Sequence, residues 1–168
     1  MLTMLANLFK ILNSDSSPAQ IALGFAFALF IGLTPFFSLH NFLILFLVFV
    51  IRVNLGGFFL ASAVFTLLAY LLDPVSVEIG EQLLSHPELI DTWTQLYQSD
   101  MWRGFKFNHT LLIGSVVLAS ILFLPVFIIF TVLIRMYRIK LMAWFEKLKI
   151  VKFIKASKFY QAYERLGA

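Results

Sequence analysis

The chain reads as an all-α integral membrane protein. It combines a short broken, re-entrant helical hairpin with two transmembrane helices, an outer amphipathic helical layer and a cytoplasmic basic helix. Three observations predict this class. Of 168 residues, 61% are hydrophobic and 13% charged, with a mean hydropathy of +0.91, whereas an ordinary globular chain carries about 25% charged residues. Two apolar runs, 55–72 and 111–134, reach roughly 27 and 36 Å as helices, enough for the ~30 Å core of a bilayer. Two shorter apolar arms, 19–33 and 42–51, flank a polar elbow at 34–41.

Residues 1–13 place Leu2, Leu5, Leu8, Phe9, Ile11 and Leu12 over one broad helical face, the pattern of a helix lying at the membrane interface. They lack the basic start, long apolar run and small-residue cleavage site of a secretory signal peptide. The chain has no Cys, so disulfides and thiolate chemistry are excluded. A polytopic membrane domain is expected over 1–138 and a basic amphipathic tail over 139–168.

Ser17 and Pro18 open the first arm, Ser as a helix cap and Pro at a first position that needs no N–H. Gly24, Ala28 and Gly32 recur every four residues, a row of small residues that lets a second helix approach closely. Pro35 ends the arm, because the residue before a proline is pushed out of the helical region. Ser38 is placed to cap the second arm, which Arg52-Val53-Asn54 closes. A fifteen-residue arm is roughly 22 Å long, so the pair dips into the bilayer or barely crosses it. Non-helical backbone at that depth requires protein or a water-filled cavity around it.

The 55–72 span is expected to stop at Asp73-Pro74, with Asp73 either capping a helix that starts at Pro74 or pairing with Arg103 or Lys106. The connection 73–108 mixes apolar and polar residues and predicts two or three short amphipathic helices, with Trp93, Tyr97 and Trp102 at the membrane boundary. The last span contains Pro125, which membrane helices tolerate, and is expected to stop at Arg135 and Arg138.

Charge orients the chain. Residues 73–108 carry a net −4 and residues 135–168 a net +7. By the excess of Lys and Arg in cytoplasmic segments, both termini are expected in the cytoplasm and 73–108 outside.

These residues also resemble a family. The stretches Ser17-Pro18-xx-Ile21-Ala22-Leu23-Gly24-Phe25-Ala26, Gly32-Leu33-Thr34-Pro35, Leu39-His40-Asn41 and Arg52-Val53-Asn54 are similar to those of small bacterial inner-membrane proteins known as domain of unknown function two-thousand-and-sixty-two. So are Ala69-Tyr70-Leu71-Leu72-Asp73-Pro74 and Phe107-Asn108-His109-Thr110, although His109 stands where the family pattern has asparagine. The resemblance covers about residues 1–138. It implies a bacterial inner membrane and an α-helical fold, and no established activity.

Candidate site residues divide into three groups. Thr34, Ser38, His40 and Asn41 at the elbow, Arg52 and Asn54 at the cytoplasmic mouth, and Asn108 at the outer start of the last span are candidates for contact with substrate or lipid. Intramembrane polar groups are costly unless partnered and suggest a site by default. The alternative is that the elbow groups satisfy local backbone, and that Arg52 only snorkels to the interface. Gly24, Ala28 and Gly32 form the helix-packing seam. Arg135, Arg138, Lys140, Lys147, Lys152 and Lys155 lie directly after a span, where anionic lipid is a more fitting partner than nucleic acid. Two histidines, His40 and His109, make a poor metal site, and no ligand spacing supports one.

No catalytic residue, cofactor or metal is expected, and the chain is not read as an enzyme. Two functions remain open. One is a subunit of a complex that transports or hands over a lipid-like or amphiphilic substrate, on the precedent that transporters place sites at broken helices. The other is a scaffold or anchor that docks a larger cell-envelope protein. Both imply membrane lipids as partners and a homo-oligomer or a complex with a membrane or periplasmic protein.

Overall fold

The computed structural model describes residues 11–147. All but the last residues of the expected interfacial helix 1–13 lie outside this range, as do Lys152, Lys155 and the other tail residues beyond 147. Among the described residues there is no strand.

Helix α1, Pro18–Leu33, starts on a complete capping box. Ser17 Oγ accepts from the Gln20 amide at 3.2 Å and Gln20 Oε1 accepts from the Ser17 amide at 2.8 Å, so two amide donors at the helix start are satisfied reciprocally. Pro35 ends α1 as expected from its effect on the preceding residue, leaving Thr34 in an extended conformation. Helix α2, Leu39–Val50, returns from the elbow, and only Asn41 and Val48 in it are buried. Ser38 occupies the cap position, but its hydroxyl donates to Pro35 O at 2.6 Å and makes no cap bond. The tight turn places that carbonyl nearer than the first amides of α2.

Helix α3, Leu55–Leu84, corrects the expected stop at Asp73-Pro74: it runs on through the proline for ten residues. Asp73 therefore caps no helix at Pro74. An internal proline forfeits one helical hydrogen bond and crowds the carbonyl four residues back. Here the distal part is held by side packing. Ser76 and Gly80 of α3 press directly on Gly114 and Thr110 of the last helix, α6, Thr110–Lys147.

Between α3 and α6 lie a 3-10 turn, Pro87–Leu89, and the short helices α4, Ile90–Gln98, and α5, Asp100–Gly104. The expected amphipathic connection is thus shortened, its first twelve residues belonging to α3. Trp93 ties it down by donating to Leu83 O at 3.0 Å and stacking on Phe107. Arg103 pairs with Asp100 and lies over the Tyr97 ring, and among the described residues Asp73 pairs with neither Arg103 nor Lys106.

α1 and α3 run parallel. A Cβ on Gly24 would meet Asn54 O at 3.0 Å and Phe58 N at 3.3 Å, and one on Gly32 would meet backbone of Phe65 and Thr66 at 3.1 Å. Ala28 between them is fully buried. α6 runs antiparallel to both. Leu29, Leu33 and Ala119 form the core with Phe65, Ala69, Leu72 and Leu122 around them, and Phe25 meets Phe130 edge-on at 4.8 Å.

Two helices, α3 and the Thr110–Lys140 part of α6, are long and apolar enough to cross a membrane, and few of their residues are buried. The chain divides into two units, 1–132 and 133–168. The described part of the second is the end of α6, which carries Arg135, Arg138, Lys140 and Lys147. The arginines end the apolar run but not the helix, since Arg and Lys are good helix formers.

Candidate functional site

The elbow between α1 and α2 gathers Thr34, Ser38, His40 and Asn41. Asn41 is its hub and is 2% exposed. Its amide donates to Pro35 O and Phe36 O, each at 3.1 Å; Pro35 O also accepts from the Ser38 hydroxyl, whereas Phe36 O would otherwise be stranded in the turn. The single Thr34 hydroxyl proton is shared between Phe30 O at 2.6 Å and Asn41 Oδ1 at 3.1 Å. His40 Nε2 lies 3.0 Å from the same hydroxyl oxygen and donates to it in the tautomer that protonates that nitrogen. All four polar side chains are therefore bonded within the elbow, and Thr34, Ser38 and Asn41 are buried.

The outer surface of the elbow is the reverse. Phe36 is 65% and Phe37 86% exposed, flanked by exposed Pro35 and Leu39. A turn that points its hydroxyls and amide inward and its phenyl rings outward is inside-out relative to a turn in water, where polar tips face solvent.

A cavity of about 290 Å³ opens beside this turn. The last turn of α1 and the elbow line one side through Ile31, Gly32, Leu33, Thr34, Pro35 and Phe36; Thr66, Ala69, Tyr70 and Asp73 of α3 line the other, with Leu111 completing it. Residues 66, 69, 70 and 73 share one helical face. Sequence reasoning singled out Thr34 of this set, but treated Asp73 only as a cap or ion-pair partner and missed Tyr70. The signal was available in the spacing 66/69/70/73, once α3 is continued through Pro74.

The other predicted residues stand elsewhere. Arg52 is exposed in the turn at the opposite end of α2. Asn54 beside it is structural: its Oδ1 accepts from the Gly57 amide at 2.7 Å and its Nδ2 donates to Ser16 Oγ at 2.9 Å and Ser14 Oγ at 3.3 Å. Asn108 is exposed and lines a second cavity, about 320 Å³, with Leu84, Trp93, Thr94, Tyr97 and Phe107. The seven candidates therefore form no single site. Among the described residues no three His, Asp or Glu side chains are placed to share a metal.

A second close-packing seam escaped the sequence reading. Ser76, Gly80, Gly114 and Ser115 bring α3 and α6 together backbone to backbone, and Ser76 and Ser115 are essentially inaccessible. Ser76 and Gly80 are spaced as Gly24 and Ala28 are, which was the usable signal.

Comparison with known sequences finds one family profile, described as an uncharacterized protein conserved in bacteria (DUF2062), matching residues 3–142. A relative described as an uncharacterized protein of Treponema pallidum (strain Nichols) is 28% identical over 138 residues, 82% of this chain and 85% of its own. No solved structure matches the chain.

Proposed function

We propose that this chain, which belongs to the DUF2062 family of bacterial proteins, is a small inner-membrane subunit that transports or hands over a lipid-like or amphiphilic substrate, with α1–α2 as a re-entrant hairpin. The observation that carries the reading is the inside-out elbow. Its exposed Phe36 and Phe37 suit hydrocarbon, and its internally bonded Thr34, Ser38, His40 and Asn41 remove the cost of polar groups at depth. Both arms are also short: α1 and α2, of 16 and 12 residues, are roughly 24 and 18 Å long against a ~30 Å core. The cavity beside the elbow supplies a place for part of an amphiphile, and broken helices are where transporters put such sites. In this reading both termini and the basic end of α6 face the cytoplasm, with Arg135, Arg138, Lys140 and Lys147 against anionic lipid.

The test uses the absence of native cysteine. Single cysteines at Phe36 and Phe37, probed in sealed inner-membrane vesicles of both orientations, should resist a membrane-impermeant maleimide, while one at Arg52 should label from the cytoplasmic side. Rapid labelling at both elbow positions from either side would overturn the re-entrant hairpin. A reconstituted protein should also exchange a fluorescent lipid between leaflets or to an acceptor vesicle faster than protein-free liposomes.

The second reading, a scaffold that docks a larger envelope protein, draws on the connection between α3 and α6. Ile90, Tyr97, Met101 and Trp102 are large, apolar and exposed there. Co-purification of a stoichiometric envelope protein, lost on Trp102→Ala with lipid exchange unaffected, would favour it.

A further inference from the structure

The cavity beside the elbow is rich in hydrogen-bond acceptors and poor in donors, and this imbalance selects a class of ligand. Asp73 lines it and, among the described residues, forms no ion pair; Arg103 is engaged by Asp100 instead. Two prolines add acceptors. Pro35 has no N–H for the carbonyl four residues earlier, that of Ile31, and Pro74 has none for that of Tyr70. Both Ile31 and Tyr70 line the cavity. The last turn of α1 also ends here, and the C-terminal end of a helix carries partial negative charge. Against this stand few donors. The Thr34 proton goes to Phe30 O or Asn41 Oδ1, and Thr66 donates to Ser62 O at 2.9 Å. No Lys or Arg lines the space. The Tyr70 hydroxyl is the one lining side-chain donor without a bond inside the described chain.

We propose that this cavity binds the primary ammonium headgroup of a membrane amphiphile, with Asp73 as counter-ion and the Ile31 and Tyr70 carbonyls as further acceptors. A primary ammonium brings three N–H donors and one positive charge, which matches a carboxylate and two spare carbonyls. The rest of the lining, Leu33, Phe36, Ala69 and Leu111, is apolar. Exposed Leu67 and Leu71 continue along α3 toward the interior of its apolar stretch, a surface for the acyl chains. This inference rests on the reading of the elbow as lying in hydrocarbon and names the substrate class of that site.

The experiment is native mass spectrometry of the full chain released from nanodiscs that hold equal parts phosphatidylethanolamine, phosphatidylcholine and phosphatidylglycerol. The wild type should retain phosphatidylethanolamine over phosphatidylcholine, whose quaternary ammonium has no N–H, and over phosphatidylglycerol. Asp73→Asn should reduce that preference about tenfold, the loss of one well-placed charged partner, and Asp73→Glu should restore most of it. Soluble ethanolamine at millimolar concentration should not displace the bound lipid; displacement would overturn the assignment to an amphiphile. Equal retention of the three lipids by the wild type, or an unchanged preference in Asp73→Asn eluting as a single species, would overturn the proposal. If that happens while Phe36 and Phe37 cysteines stay protected, this inference alone fails. Labelled elbow cysteines would remove the premise beneath it.

Discussion

The turn at 34–38 and the turn at 51–54 both interrupt apolar helices, yet they distribute polarity in opposite directions. In the first, Thr34, Ser38 and Asn41 are buried; Ser38 and Asn41 donate to the turn's own carbonyls and Thr34 to Phe30 O and Asn41 Oδ1, while Phe36 and Phe37 stand out. In the second, Arg52 stands out, and Asn54 binds outside its own turn, to Gly57 and to Ser14 and Ser16. The first turn is closed on itself and apolar outside; the second is tied to its neighbours and charged outside. Two turns at opposite ends of one helix thus present opposite surfaces, one apolar and one charged. A cluster of polar residues in an apolar chain is not by itself a binding site, because four side chains that satisfy each other have little left to offer a ligand. The groups with spare capacity are those beside the cluster, where Asp73 has no ionic partner among the described residues.

The comparison can be broken at its hub. Asn41→Leu strands Phe36 O, takes one of two donors from Pro35 O and removes the Asn41 oxygen beside Thr34. A loss of about 3 kcal/mol is expected, the upper end of the 1 to 3 for one stranded acceptor because two further bonds go with it, and thermal unfolding in detergent measures it. Next in size is Phe37→Lys. A charge on a face built for hydrocarbon should cost about 2 kcal/mol by insertion scales and lower the membrane-integrated yield. Arg52→Ala at the other turn should leave that yield unchanged; equal losses would erase the distinction between the turns. Asn54→Ala removes the α3 cap, worth about 1 kcal/mol, and should lower the unfolding temperature without altering the elbow. The smallest effect is expected for Asp100→Asn. Its pair with Arg103 is exposed, and exposed pairs contribute about 0 to 1 kcal/mol, so the melting curve should barely move.

Much of the architecture was legible because local rules act at marked residues. Ser17, Pro18 and Pro35 bracket α1 by capping and proline geometry, whereas Asn54, read as closing the second arm and as a site candidate, caps α3. The elbow was legible as a polar interruption between short arms, and satisfaction of local backbone was one of its two readings. The choice between them was not legible, because whether Asn41 faces a ligand or Pro35 O depends on how α2 folds back. The end of α3 was misread for the same kind of reason. Pro74 is locally a stop, yet Ser76 and Gly80 gain backbone contact with Gly114 and Thr110, thirty or more residues away in sequence, and that contact holds the helix together beyond the proline. The cavity followed the same error: with α3 ended at residue 72, Asp73 belongs to a loop, and the face 66/69/70/73 does not exist.

The amino-acid order alone settled where apolar helices form, where the first of them begins and ends, and that their small residues permit close approach. These follow from hydropathy, capping and proline sterics, which act within a few residues. Tertiary structure decided which way the elbow's side chains turn, that α3 survives its proline, and that a lone carboxylate meets the end of α1. Each of those outcomes is a competition between a local preference and contacts made by distant segments, and only the assembled helices bring the distant partners within reach.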